Sequence, residues 1–365
     1  MNILFISRSS LFSNPGGDTI QVAQTAENLK NLDVNVDIRL ADETIDYSHY
    51  DLIHFFNIIR PADILYHAKR AGKPYVVSTI FVDYTESEMK NASSTRKFIS
   101  HIFSADGIEY LKVLARFLKN GEKIASRFYI LNGHRKSVEK AVSKASMLLP
   151  NSSNEYKRLK QRYEIDRPFK VIPNGIDTSI FNGGQSARKR NTEQVLCVAR
   201  IEPLKNQLNL IKAINNTQFS LLLIGRYAAN HKSYYEACRE AAGKNIHFMD
   251  YLPQIELLKF YQEAKVHALP SWFETTGLST LESAVSGCNT VITDKGDTRE
   301  YYRDYAYYCD PDSVESILNA VTIASSEPVN PEYSRFIKSH YTWQIAAEKT
   351  LQAYREVLGE KSNHT

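Results

Sequence analysis

Glu274 and Glu282 are the residues whose type and spacing point most directly to chemistry. They close the stretch ETTGLSTLE at both ends, with seven residues between them. Ahead lies KVHALP, an apolar strand-like run broken at Pro270; behind lies SAVSG, small and helix-compatible. This pattern predicts a strand-to-helix turn, with the helix starting near Thr276 or Gly277. A helix N-terminus carries unpaired N–H groups and about half a positive charge, which makes it an anion site. Gly277 would let the backbone approach a phosphate closely. Eight helical residues rise about 12 Å, further than the roughly 5–10 Å between the two carboxyl groups of a glycosidase. The two carboxylates are therefore expected to hold opposite ends of one elongated ligand around a central phosphate. A carboxylate accepts two hydroxyl hydrogen bonds at once, which suits a sugar at one end and a ribose at the other. On periodicity alone, a helix-start acid followed by a solvated glutamate fits somewhat better.

The elements around this turn form two series. NILFIS, VNVDIRL, DLIHFF, PYVVST and MLLPNS read as strands, with a Gly16-Gly17 loop and a helix from about Thr19 to Asn31 after the first. FKVIPNG (169–175) reads as a strand closed by a turn signal. QVLCVAR, FSLLLIG, NIHFMD, KVHALP and NTVITD are strand-like, and the helical stretches 206–214, 233–242, 254–264 and 277–286 lie between them. Strands alternating with helices predict parallel sheets built from βαβ units, and two series predict two doubly wound domains joined near 165–178. Ligands in open parallel sheets sit beyond the carboxyl ends of the strands, so a cleft between the domains is expected.

Length and composition agree. A chain of 365 residues, 43% hydrophobic and 24% charged, suits two globular domains. No run approaches the roughly 20 apolar residues that cross a bilayer, and MNILFISRSS lacks the form of a secretory signal. Cys197, Cys238, Cys288 and Cys309 show no metal spacing. Cys197, Cys288 and Cys309 lie in or beside apolar runs and read as core thiols, consistent with a reducing cytoplasm. The net charge of +4 is uneven: residues 86–144 carry twelve Lys/Arg against six Asp/Glu. This segment has apolar residues at helical spacing and six interleaved aromatics, Phe98, Phe103, Tyr110, Phe117, Phe128 and Tyr129. It reads either as a solvated helical face or as a surface for an anionic membrane or a lipid-diphosphate acceptor.

ETTGLSTLESAVSG resembles the E-x7-E motif of the family 4 (GT4-like) retaining glycosyltransferases of the GT-B superfamily. Five further stretches match in order: NPGGD (14–18), VIPNGIDTSIF (171–181), Arg200 and Lys205 after VLCVAR, TREYYRDYAYYCDPDS (298–313) and YTWQIAAEKTLQAYREVL (341–358). The resemblance covers nearly the whole chain. It implies a GT-B fold, with two Rossmann-like doubly wound parallel-sheet domains facing across a cleft. An acceptor-side domain over 1–168 would be rejoined by a C-terminal helix at 342–360, and a nucleotide-sugar donor domain would span 169–341. It implies that Arg200 and Lys205 clamp a diphosphate, that Glu282 accepts ribose hydroxyls and that Glu274 contacts the donor sugar. The N–H groups of Thr276, Gly277 and Leu278 would face the phosphates. Gly16 and Gly17 would meet the donor, and Gly225 would lie near the nucleotide. Base selectivity would rest on backbone contacts near Tyr251 and Leu252.

One departure stands out. Many members carry a histidine just after the fourth strand, whereas this chain reads VVSTIFVDYTE (76–86). Asp83 is the nearest titratable group to receive or orient the acceptor proton, or else it is a helix cap or turn residue. His54 reads as a packed or cleft-lining strand residue, and His134 as a residue near the acceptor. No metal site is implied; Asp310-Pro-Asp312 reads as a turn, and the helix dipole with Arg200 and Lys205 takes the place of a metal. NPGGD lacks the GxGxxG fingerprint of dinucleotide binders. The expected activity is transfer of a sugar, UDP- or GDP-linked, to a hydroxyl of a glycan or lipid-linked glycan in surface polysaccharide synthesis. No cofactor beyond the nucleoside-diphosphate sugar substrate and no nucleic-acid partner are expected. The expected location is cytoplasmic, including the inner face of a membrane. Two rival readings remain: a GT-B nucleotide-sugar epimerase, and a noncatalytic nucleotide-sugar-binding partner of another transferase.

Overall fold

The computed structural model describes residues 1–82, 84, 86, 90, 106–111, 113, 126–182 and 190–359. The chain divides into two compact units: Met1–Phe81 with Ala92–Pro173 and Trp343–Thr365, and Val82–Asn91 with Asn174–Thr342.

The first unit holds a parallel sheet of β1 (Asn2–Ser7), β2 (Asn35–Leu40), β3 (Leu52–Phe56), β4 (Tyr75–Ser78) and β5 (Met147–Leu149), in the order β2-β1-β3-β4-β5. Its helices are α1 (Gly17–Lys30), α2 (Pro61–Ala71), α3 (Arg127–Ser143) and α4 (Ser153–Tyr163). Pro61 opens α2, where its missing N–H costs nothing, and Gly72 ends it in the left-handed region. Gly133, at φ 75°, breaks α3 into two pieces, so the helical spacing of the basic segment does not continue through it. The rest of that segment lies largely outside the described residues.

The second unit holds β6 (Asn191–Val198), β7 (Ser220–Ile224), β8 (Ile246–Met249), β9 (Ala264–Leu269), β10 (Asn289–Thr293) and β11 (Tyr307–Cys309), ordered β11-β10-β9-β6-β7-β8 and parallel throughout. Between them run α5 (Gln207–Ile214), α6 (Lys232–Ala241), α7 (Gln254–Glu263), α8 (Leu278–Val285) and α9 (Thr298–Tyr302). After β11 come α10 (Val314–Ser326) and α11 (Pro331–His340); α12 (Trp343–Leu358) returns to the first unit and packs on α1.

Alternation along the strands explains why both sheet faces are covered. Val195, Cys197, Leu221, Leu223 and Val291 pack into one core; Leu196, Ile224 and Ile292 pack into another. Successive side chains point to opposite faces, so apolar residues at every position demand helices on both sides.

The stretch 169–175 is not a strand. Phe169 makes one isolated bridge to Leu148, and Ile176 makes another to Thr342. Lys170 and Ile172 donate to Leu148 and Pro150, but Pro168 and Pro173 have no N–H to extend the ladder.

Candidate functional site

In each sheet the chain reverses direction beside the strand that comes first. In the second unit β6 runs out to β7 and β8, then the chain returns to lay β9 on the other side of β6. The crevice beyond the carboxyl ends of β6 and β9 is the topological switch point, where open α/β sheets bind ligands. Arg200 and Lys205 follow β6; Glu274, Thr276, Gly277 and Leu278 follow β9. The fold thus brings the cations and the carboxylate turn together.

Asn206 fixes this meeting. It takes φ 57°, a conformation that asparagine tolerates, and its Nδ2 donates to Pro270 O at 3.0 Å and Pro311 O at 2.8 Å. Trp272 N donates to Leu204 O at 2.8 Å, and Gln207 Nε2 donates to Arg200 O at 2.8 Å. With its turn held from both sides, Lys205 Nζ reaches Glu274 Oε2 at 2.6 Å, and Ser271 Oγ donates to the same oxygen at 3.1 Å. Glu274 Oε1 accepts nothing among the described residues. Lys205 has three N–H donors and gives one to Glu274. Arg200 is half-exposed and donates to the buried Glu202 at 3.1 Å.

Glu274 is also tied to the turn after β10. Its N–H donates to Lys295 O at 3.3 Å, and its carbonyl accepts from Asp297 N at 2.9 Å. Gly296, at φ 94°, lies against it so closely that a Cβ there would sit 2.1 Å from Glu274 O. Gly277 caps α8 at φ 67°, ψ 71°. The N–H groups of Thr276, Gly277, Leu278 and Ser279 take no acceptor among the described residues.

Glu282 lies in the second turn of α8, buried, with Gln254 Nε2 donating to Oε1 at 2.6 Å and Tyr261 donating to Oε2 at 3.0 Å. Burial pushes its carboxyl up from 4.5 to about 7, against the pull of those two donors. Glu274 and Glu282 share no hydrogen-bond partner. Gly225 follows β7 at φ 152°; a Cβ there would meet Ala199 O at 2.0 Å, so close backbone approach alone demands glycine. Tyr251 is exposed at the end of β8, beside Arg226 and Asp250.

In the first unit, Gly16 and Gly17 follow β1, which flanks the corresponding switch point with β3. Arg8 organises this loop: it donates to both Asp18 oxygens, at 2.6 and 3.0 Å, and to Ser10 and Asn14. His54 is a core residue, bonded to Ser78 Oγ at 2.8 Å and Tyr354 OH at 2.6 Å, with its pKa lowered by burial to about 3. His134 is buried against Tyr129, and burial lowers its pKa, so it does not face an acceptor from the surface. Asp83 lies outside the described residues. Asp310-Pro-Asp312 is a turn; Asp312 N donates to Asp310 Oδ1 at 3.0 Å.

Among the described residues no group of three or more His, Cys, Asp or Glu is placed to hold a metal, and no helix is long and apolar enough to cross a membrane. All four cysteines are buried and unpaired.

Sequence reasoning missed Asn206, Ser271, Gln254, Tyr261 and Tyr302. All but Ser271 act across a long sequence interval, and only the Pro-Asn-Gly run hinted at another, Asn174. Asn174 Nδ2 donates to Thr276 Oγ1 at 3.1 Å.

Residues 181–343 match the family of glycosyl transferases, group 1. D-inositol 3-phosphate glycosyltransferase of Acidothermus cellulolyticus is 27% identical over 248 residues, 60% of this chain and 55% of that protein. The chain spans about half the length of the curated relatives it matches. Sucrose-phosphate synthase of Thermosynechococcus elongatus superposes with a TM-score of 0.73 at 16% identity, covering 99% of this chain and 100% of that one. HepE of Anabaena, solved with UDP and glucose and with UDP-glucose, superposes with a TM-score of 0.67 at 14% identity, covering 98% and 100%. The protein has the GT-B fold. The match to the group 1 glycosyl transferases falls almost wholly within the second unit.

Proposed function

We propose that this chain is a retaining glycosyltransferase that takes a sugar from a nucleoside diphosphate, UDP or GDP, to a hydroxyl of a glycan or lipid-linked glycan. One observation carries the reading. At the β6/β9 switch point, four N–H groups without acceptors open α8, with Lys205 beside the turn that precedes them and Glu282 one turn further on. The N–H groups suit the diphosphate, and Arg200 and Lys205 stabilise the charge that develops on it as the sugar bond breaks. Glu274 Oε1 receives a hydroxyl of the donor sugar, and Glu282 the ribose hydroxyls. The acceptor hydroxyl attacks the sugar carbon from the face the diphosphate leaves. A place in surface polysaccharide synthesis, with the protein at the inner face of a membrane, belongs to the same proposal.

A thermal-shift screen against UDP, GDP, ADP and their sugars tests it. A nucleotide at about 100 times its dissociation constant should add roughly 2.7 kcal/mol of stability. No shift with any of these nucleotides would overturn the donor-site reading. A shift with a nucleotide sugar, but no transfer to any glycan and steady conversion of the donor alone, would replace transfer with epimerisation.

A further inference from the structure

Tyr302 closes α9, wholly buried, with its ring edge against Tyr333. Its hydroxyl donates to two successive carbonyls in the turn opening α8, that of Thr276 and that of Gly277, the latter at 3.1 Å. No peptide bond among the described residues is cis. In a planar trans peptide the C=O and the N–H point opposite ways. The carbonyl of Thr276 shares its plane with the N–H of Gly277, and the carbonyl of Gly277 shares its plane with the N–H of Leu278. The Gly277 carbonyl also accepts from Thr280 N at 2.8 Å and Leu281 N at 3.2 Å, so α8 shares in holding it, whereas the Thr276 carbonyl accepts from Tyr302. With both carbonyls turned inward, both N–H groups turn outward. Neither of them has an acceptor among the described residues.

The neighbouring phenol adds to the same arrangement. Tyr301, also buried, accepts from Asn174 N at 3.1 Å, and Asn174 Nδ2 in turn donates to Thr276 Oγ1. Burial holds the Tyr302 hydroxyl well above its ordinary pKa, so it stays a donor at neutral pH.

We propose that Tyr302 is a positioning residue for the diphosphate: it holds the carbonyls of Thr276 and Gly277 inward and so aims the N–H groups of Gly277 and Leu278 at the phosphate oxygens. The inference rests on the donor-site reading above. It assigns Tyr302 to phosphate recognition rather than to base or ribose recognition, although it touches no ligand.

The test compares Tyr302→Phe with the wild type, using UDP, GDP and ADP against uridine, guanosine and adenosine, by calorimetry and ligand-observed NMR. The wild type should bind one diphosphate far more tightly than its nucleoside. In Tyr302→Phe that advantage should fall about tenfold, as expected for loss of one organising hydrogen bond, with nucleoside binding unchanged. A general loosening would weaken both probes together and would overturn the assignment, as would an unchanged diphosphate advantage in a folded variant. A wild type that binds no diphosphate better than its nucleoside would instead overturn the donor-site reading. If Tyr302→Phe does not fold, amide exchange of the wild type decides the question. Gly277 and Leu278 should exchange freely without ligand and become protected by the diphosphate. Protection of both in the free protein would place their N–H groups inside and overturn the proposal.

Discussion

Glu282 should make this protein less stable and more ligand-competent over the same pH interval. Its carboxyl is pushed from 4.5 to about 7, chiefly by burial. In the unfolded chain it loses its proton at the ordinary value. Between the two values the native state holds a proton that the unfolded state has released, so stability falls as pH rises. The contribution is fully present below about pH 4.5 and gone above about pH 7. It amounts to about 3 kcal/mol, since each pH unit of the interval is worth about 1.4 kcal/mol. Glu282→Gln keeps the shape and removes the titration. The stability difference between variant and wild type should therefore grow by about 3 kcal/mol, in favour of the variant, from pH 4.5 to pH 7.5. Trp272 lies in the second unit and Trp343 in the first, and they are the two tryptophans of the chain. Urea unfolding followed by tryptophan fluorescence in a Trp343→Phe background thus reports on the unit that holds Glu282. Nucleotide binding should move the other way, because in the proposed donor site it is the ionised carboxylate that would accept the ribose hydroxyls. With about a tenth of the protein ionised at pH 6, apparent affinity should be about tenfold weaker there than at pH 8, and Glu282→Gln should abolish this dependence. A stability difference that stays flat from pH 4.5 to 7.5 would mean that Glu282 is charged throughout, and would refute the reasoning.

Lys205→Met should leave the buried Glu274 carboxylate without its cation and cost about 3 kcal/mol. Adding Glu274→Gln should restore most of the melting temperature but not the transferase rate; a double variant as unstable as the single one would show that the unpaired carboxylate is not the source of the loss. Arg200→Ala should behave differently, because Arg200 is half-exposed: its stability loss should stay within about 1 kcal/mol while kcat falls about 100-fold. An Arg200→Ala enzyme at full rate would remove Arg200 from the diphosphate clamp.

Much of the architecture was legible because it rests on local patterns. The strands of both sheets are short apolar runs bounded by polar residues, and the turn at Gly277 announced α8 within a residue. The misread stretch at 169–175 has strand composition, but Pro173 within it and Pro168 before it lack the N–H groups a ladder needs. The helix α4 carried a readable signal in Ser152-x-x-Glu155. Ser152 Oγ accepts from Glu155 N at 2.8 Å, as in a capping box. Its glutamate does more than a box requires: it accepts from Asn151 N and Phe81 N, each at 2.8 Å, and from Thr79. At the candidate site the charged groups were visible as types and spacings, whereas their supports were not. Tyr261 lies 21 residues from Glu282 and Asn206 lies 64 from Pro270. No periodicity in the chain encodes such pairs; the strand order does.

The placement of α12 has a consequence for the order in which the protein is made. α1 is covered from more than one side: it packs on β2 and on α12. His54 of β3 likewise finds its Tyr354 partner on α12. Both partners leave the ribosome only after the whole second unit has been synthesised. During translation the first unit must therefore wait, with the α1–α12 packing and the Tyr354 partner of His54 still missing, while the second unit can complete its own core. A nascent chain halted at Thr342 should bind chaperones through its N-terminal half, and release of α12 should end that binding.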